Sequence, residues 1–285
     1  MCRGDFLFLF IYYNGKVFVF SFYPEFTARS WVKNRMLLFN LYDYIVEAIE
    51  ERKLNIIMVF IMKSIMVAAL CLAGSLQLMA QEPLKDWAGL ERYQEDNKMV
   101  QGPVKAVFMG NSITDGWPVA DPDFFTQNGY VGRGISGQVS AQMLMRFRQD
   151  VIALNPQVVV ILAGTNDIAR NDYAMTLEQT FDNVVSMVQL AQANQIKVVL
   201  CSTLPAFQFG WRPELKPAED IKKLNAKFKE FADAQGIPFV DYHSAMKDER
   251  DGLPLKYSED GVHPTVEGYK VMEGLVQKAL KKVIR

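Results

Sequence analysis

From residue 104 to the C-terminus, short apolar runs rich in β-branched residues alternate with stretches whose apolar positions recur every three or four residues. This alternation restricts the possible folds more than any other feature of the chain. The runs are 104–109 (VKAVFM), 130–135 (YVGRGI), 157–163 (QVVVILA), 197–202 (KVVLCS) and 238–242 (PFVDY). Helical periods lie between them: Val139, Met143, Phe147, Val151 and Leu154; Leu177, Phe181, Val184, Val188 and Ala191; Ile221, Leu224, Phe228 and Phe231; and Tyr269, Met272, Val276, Ala279 and Val283. Thr176 with Gln179 reads as a capping box, Pro156 separates the first of these helices from its next strand, and Pro264 fits the first turn of the last helix. Nearly continuous apolar strands, each followed by a helix, predict an α/β fold with a parallel sheet covered on both faces.

The first 61 residues differ in kind. They hold 15 of the 34 aromatic residues, with no sustained helix or strand period and few turn signals. Met62-Lys63-Ser64 follows, then an apolar run over 65–73, a small and polar patch, and Leu78-Met79-Ala80 before Gln81. A positive charge, a short apolar core and a small residue at a polar boundary are the parts of a secretory signal peptide. About 17 residues remain after Lys63, Gly, Ser and Gln among them, short of the roughly 20 that a membrane span needs. The expected organisation is therefore 1–61 as an upstream extension from a mis-chosen start, 62–80 as signal peptide, 81–103 as an N-terminal helix and linker, and 104–285 as the catalytic domain. The product is expected to be secreted or periplasmic, with no stable membrane span after cleavage.

The part after Ala80 carries 23 Lys and Arg against 26 Asp and Glu, a net charge of −3. Nucleic acid, whose phosphates demand excess positive charge, is excluded as the main partner. Of three cysteines only Cys201 follows Ala80, at the end of an apolar run, so it reads as a buried structural thiol rather than half of a disulfide.

In parallel sheets ligands sit beyond the carboxyl ends of the strands, so chemistry is expected in the loops there. Those loops are 110–117 (GNSITDGW), 134–137 (GISG), 164–167 (GTND) and 258–264 (SEDGVHP). The chain has two histidines, and His263 stands three residues after Asp260, a spacing at which a carboxylate reaches the imidazole Nδ1–H and fixes its tautomer. Ser112 follows a strand end in a glycine-flanked turn, and a serine hydroxyl becomes a nucleophile only beside a base. Asn166 can aim its NH₂ at a developing oxyanion, beside the backbone N–H groups of Ser112 and Gly137. Singly, each of these residues also suits a cap, a turn or a solvated surface.

Together the four blocks resemble the SGNH subfamily of GDSL-type esterases and lipases, in family order and at family-like spacing from about Asp86 to the C-terminus. GNSITDGW is similar to the nucleophile block with Ser112, GISG to the second with Gly137, GTND to the third with Asn166, and DGVHP to the last with Asp260 and His263. The WAGLERYQEDNK stretch and Trp211-Arg212-Pro213 resemble the platelet-activating-factor acetylhydrolase-like and lysophospholipase-like branch. The resemblance implies a three-layer α/β/α sandwich of flavodoxin-like type around a five-stranded parallel sheet. It implies an acyl-enzyme mechanism with Ser112 as nucleophile, His263 as base, Asp260 as its orienting acid, and Ser112, Gly137 and Asn166 as oxyanion hole. Neither metal nor other cofactor is implied. One position departs: the family's Gly-Asp-Ser is Gly110-Asn111-Ser112, which keeps the shape of the neighbour but not its charge.

The expected substrate is a small-molecule, glycan or lipid ester, with a short acyl or acetyl group favoured; a lysophospholipase, a thioesterase and a non-catalytic carbohydrate-binding relative are the alternatives. The α/β-hydrolase elbow Gly-x-Ser-x-Gly is absent, since Thr114 stands where its second glycine belongs. Gly132-Arg-Gly134-Ile-Ser-Gly137 matches a dinucleotide fingerprint but follows the second strand and lacks the acid about 20 residues on. Trp117 and Trp211 are candidate walls of the substrate pocket, Asp115 and Asp167 read as loop-fixing carboxylates, and His243 as a solvated loop residue. N-terminal sequencing of the protein from its native host is expected to give a mature chain starting at Gln81; a chain starting near Met1 overturns the export reading.

Overall fold

Five strands, each with side chains alternating to opposite faces, assemble into one all-parallel sheet. They are β3 (Ala106–Gly110), β4 (Tyr130–Gly134), β5 (Val158–Leu162), β6 (Lys197–Cys201) and β7 (Phe239–Val240) in the order β4-β3-β5-β6-β7. The computed structural model describes residues 7–13, 16–22, 43, 46–47, 60–61, 63–68 and 86–284. They fall in two units, Met1–Leu84 and Lys85–Arg285, of which the second holds this sheet.

In the first unit β1 (Leu7–Tyr13) pairs antiparallel with β2 (Lys16–Phe22), Leu7 opposite Phe22 and Tyr13 opposite Lys16. The absence of a strand period in this stretch concealed the pairing. Its aromatic and β-branched content carries high strand propensity without alternation, and Asn14-Gly15, the strongest two-residue hairpin signal, separates the runs. Residues 63–68 are helical; the remainder of the expected signal peptide, with its cleavage point after Ala80, lies outside the described residues. Among the described residues no helix is long and apolar enough to cross a membrane.

In the second unit α1 (Gln94–Met99) precedes the sheet, and the pleat sorts each strand into two cores. Val107 and Met109 of β3, Val159 and Ile161 of β5, and Val198 and Leu200 of β6 face one side. There they meet Met143 and Phe147 of α4 (Ser140–Asp150), Val184 and Val188 of α6 (Leu177–Ala193), and Leu224 and Phe228 of α7 (Pro217–Gln235). Ala106, Phe108, Val158, Val160 and Val199 face the other side. Their partners are Ile113 and Trp117 of α2 (Ser112–Ala120), Phe124 of α3 (Pro122–Thr126), and Met272 and Val276 of α9 (Val266–Val283). This is the three-layer flavodoxin-like architecture that the sequence led us to expect, with helices on both faces of a five-stranded parallel sheet.

Register sets the site. Gly110 at the end of β3 lies level with Gly134 of β4 and Leu162 of β5, so the segments that follow all three leave the sheet at one height. Two boundaries differ from expectation. The segment after β3 is the helix α2, which Gly116 and Pro118 disguise, because a glycine and a proline both lower helix propensity in the sequence. Pro264 precedes α9 by two residues: Thr265 caps that helix by accepting from the Gly268 N–H, while Pro264 bridges to Ser258 and closes the preceding loop. The Thr176–Gln179 capping box is present in both directions, at 2.9 and 3.2 Å.

Phe147 is fully buried in the first core. Phe147→Ala is expected to lower stability by about 3–5 kcal/mol in urea denaturation, whereas Val119→Ala on the exposed face of α2 stays within about 0.5 kcal/mol of the parent.

Candidate active site

Asn111 follows β3 and caps α2: its Oδ1 accepts the Ile113 N–H at 3.1 Å, and its backbone carbonyl accepts from Thr114 and Asp115. The cap needs a carbonyl oxygen and no charge, which accounts for an asparagine beside the serine. Ser112 is thereby the first helical residue, and its N–H, an orphan of the first turn, has no acceptor among the described residues.

The last loop comes to meet it. Ser112 Oγ lies 2.8 Å from His263 Nε2, across 151 residues of sequence, and His263 Nδ1 lies 2.6 Å from Asp260 Oδ2. The other Asp260 oxygen accepts from the N–H groups of Val262 and His263, both at 2.8 Å, and from the Ser258 hydroxyl at 3.0 Å. Burial raises the Asp260 pKa, but the hydrogen bonds from the His263 ring, the His263 N–H and the Val262 N–H outweigh it and hold the carboxyl at about 2. An ionised carboxylate only accepts, so the ring proton sits on Nδ1 and leaves the Nε2 lone pair for the serine hydroxyl.

The 134–137 turn is fixed from three sides. Ile135 N–H donates to the Gly110 carbonyl, and Ser136 donates from N–H and Oγ to Asp115 Oδ2, at 3.3 and 2.7 Å. Asn166 Nδ2 donates to the Gln138 carbonyl at 2.9 Å. Gly137 sits in the left-handed region at φ +81°, and its N–H has no acceptor among the described residues. Asn166 itself is buried on α5 (Thr165–Ile168), after Gly164 at φ +109°, where a Cβ would stand 2.6 Å from Thr203 Oγ1. Asp167 accepts from the Ser140 N–H and hydroxyl at the start of α4.

Beneath this edge lies a group of buried polar residues. Arg146 of α4 is fully buried and donates to the carbonyls of Gly110 (3.0 Å) and Arg133 (2.9 Å), to Gln138 Oε1 (2.6 Å) and to Asp150 (3.0 Å). Tyr93 OH donates to the Gly134 carbonyl. These contacts join the ends of β3 and β4 to the turn that carries Gly137.

A serine hydroxyl on an orphaned helix terminus, a histidine with its free nitrogen on that hydroxyl, and N–H groups without acceptors nearby form an arrangement able to attack and stabilise an acyl carbon. A GDSL-like lipase/acylhydrolase family profile matches residues 108–271, which span this constellation. The chain belongs to the GDSL-like lipase/acylhydrolase family. Membership places it among carboxylic-ester hydrolases. A GDSL-like lipase of solved structure from Bacteroides thetaiotaomicron is 50% identical, with a TM-score of 0.68, and covers 70% of this chain and 100% of its own. A candidate acylhydrolase from Bacteroides fragilis is 54% identical, with a TM-score of 0.69 and the same coverage. An acetylxylan esterase of Xylanibacter ruminicola is 26% identical over 216 residues, 62% of this chain; the match spans 43% of that esterase's length.

In this GDSL-like family member two sequence readings change, those of Trp117 and His243. Trp117 does not line the site: it is 1% exposed, stacked between Phe124 and Tyr269, with its Nε1 on Glu273, because the helical turn after Ser112 aims it into the core. Trp211 does lie at the rim, its ring 6.4 Å from the His263 ring and stacked on Phe209. His243 is buried rather than solvated: Asp241 caps α8 (Tyr242–Met246) and turns it inward, and its Nε2 has no hydrogen-bond partner among the described residues. Cys201 is buried and free, its thiol pushed up to about 12 by burial, as a structural thiol should be.

Sequence reasoning passed over Arg146 and Asp150. Both stand at helical spacing inside the apolar stripe of α4, three residues after Met143 and Phe147, and charges on a buried face are the signal that marks them.

Burial, then the nearby Lys247, lowers the His243 pKa below its ordinary value, while Asp251 and Asp241 oppose the shift and Lys222 adds to it. The unfolded chain then binds the proton more readily, so stability is complete above about pH 6.5 and is lost as pH falls through the lower folded value. His243→Gln is expected to flatten the fall in urea midpoint as pH drops below about 6.5; an unchanged slope would refute this assignment.

Proposed function

We propose that this chain is a serine ester hydrolase that works through an acyl-enzyme at Ser112 and removes short acyl groups, acetyl above all, from glycan esters. The observation that carries the reading is the unbroken path from hydroxyl to imidazole to carboxylate, 2.8 and 2.6 Å long.

Ser112 Oγ attacks the ester carbonyl carbon as its proton passes to His263 Nε2, and Asp260 stabilises the imidazolium that results. The carbonyl oxygen takes the negative charge and receives the N–H groups of Ser112 and Gly137 and the free amide hydrogen of Asn166. When the C–O bond to the alcohol breaks, Nε2 returns its proton to the departing oxygen. Water repeats the route: it gives a proton to Nε2 and bonds to the acyl carbon, and when the acyl C–O bond to Ser112 breaks, Nε2 passes that proton to Ser112 Oγ and the acid leaves.

Two curated relatives, at 26% and 25% identity, are acetylxylan esterases, and that likeness supports an acetylated glycan over a long-chain lipid. Export by the 62–80 segment also favours such an extracytoplasmic ester.

Ser112→Ala is expected to abolish p-nitrophenyl acetate hydrolysis at an unchanged urea midpoint. Asn166→Ala should lower kcat roughly 10²–10³-fold, the cost of one oxyanion donor. Across p-nitrophenyl esters from acetate to dodecanoate, kcat/KM is expected to fall with chain length, and acetylated xylan should release acetate; a rise toward the long chains would point to a lipid substrate instead.

A further inference from the structure

An amide that serves an oxyanion must present its NH₂ and withhold its oxygen, yet the two ends of an asparagine have almost the same shape. Something must choose between them. Asn166 Nδ2 donates to the Gln138 carbonyl at 2.9 Å, and Asn166 Oδ1 accepts from Asn171 Nδ2 at 2.8 Å. Asn171 is an asparagine too, and it could turn over as readily as Asn166. Its orientation is decided one step further out, where Trp211 Nε1 donates to Asn171 Oδ1 at 2.8 Å.

An indole N–H donates and never accepts. With Trp211 as the outermost member, Asn171 must turn its oxygen outward and its NH₂ inward, so Asn166 must turn its oxygen toward Asn171. One hydrogen of Asn166 then goes to Gln138, whose carbonyl can only accept, and the other remains free. The two ends of the path, a pure donor and a pure acceptor, select the same orientation for both amides between them.

The supports are built to hold this arrangement. Trp211 stacks on the fully buried Phe209, with ring centroids 5.2 Å apart. Asn171 N–H donates to the Asn166 carbonyl at 3.0 Å, which fixes the turn between the two amides, and Arg212 donates to the Arg170 carbonyl, which ties the segment after β6 to the segment after β5 beside the contact.

We infer that Asn171 and Trp211 are positioning residues that fix the polarity of the Asn166 amide, the indole N–H setting it and the Asn171 amide relaying it. The inference rests on the oxyanion role proposed for Asn166. It assigns Trp211 a task in catalysis that its place at the rim, as a wall for substrate, does not include.

The decisive variant is Asn171→Asp. An aspartate of the same shape, ionised at neutral pH, still accepts from Trp211 but presents an oxygen to Asn166 Oδ1, which favours the reversed amide. We expect kcat for p-nitrophenyl acetate to fall nearly as far as in Asn166→Ala, roughly 10²-fold or more, with KM and urea midpoint little changed. Asn171→Ala leaves the amide free to choose and should lose less, about tenfold. Trp211→Phe keeps the stack and removes only the donor; it should lower kcat several-fold in the parent and add nothing in the Asn171→Ala background, the non-additivity of members of one path. If Asn166→Ala costs its expected factor while Asn171→Asp keeps the parental kcat, the relay is overturned and the oxyanion role stands. If Asn166→Ala itself keeps the parental kcat, the oxyanion role falls and the relay with it. Additive losses from Trp211→Phe and Asn171→Ala would also overturn the relay, because they assign the two side chains separate effects.

Discussion

The parallel register of β3 with its two neighbours is the constraint from which the site follows. Because Gly110, Gly134 and Leu162 lie level, three segments of unlike sequence leave the sheet at one height, and each begins with a feature suited to polar chemistry there. Asn111 starts a helix whose first N–H groups are unsatisfied, the 134–137 turn holds a glycine in the left-handed region, and Gly164 introduces the short helix of Asn166. Parallel strands make this coincidence available because all their carboxyl ends lie along one edge. Glycine at 134 is required by closeness rather than by turning: a Cβ there would stand 2.1 Å from the Asp115 backbone nitrogen, where α2 crosses β4. The same fact explains why the 132–137 glycine pattern carries no dinucleotide meaning, since its middle glycine makes room for a helix.

Rigidity at this edge comes from a buried charge. A fully buried guanidinium loses its hydration, and Arg146 recovers it only through the carbonyls of Gly110 and Arg133, Gln138 and the Asp150 carboxylate. Replacing such a pair by apolar residues is often neutral for stability, whereas removing one partner costs about 3–5 kcal/mol. Its value here is geometric: one side chain in a single conformation joins two strand ends and the start of the turn bearing Gly137. Asp115 and Asp167 do the same from above, each a carboxylate held by backbone and hydroxyl donors of a neighbouring segment.

Much of this was legible in the residues, and what was not has identifiable causes. Helices α6, α7 and α9 announce themselves because their apolar residues recur with one period over many turns. Helix α2 is short and contains Gly116 and Pro118, so its local signals argue against the structure it adopts. That error carried Trp117 to the wrong place, since in a loop it would face the site, whereas in a helix whose first residue is Ser112 it lies on the core face. His243 misled for a related reason, because Asp241 ends β7 after two residues and turns the next five inward.

The chain alone determined the alternation of the five parallel strands with helices α4, α6, α7 and α9, their burial on two faces, and which polar residues stand at strand ends, since these depend on periods and residue types within a few positions of one another. It determined as well that Asp260 can reach His263, three residues away on one turn. Only the tertiary structure decided that Ser112 meets His263, that Arg146 points inward beneath the edge, and that Trp211 and Asn171 stand in line with Asn166. Those contacts join segments from 5 to 151 residues apart, and a hydrogen bond depends on ångström-scale distance and direction, which sequence spacing does not encode once a strand, a helix and two turns intervene.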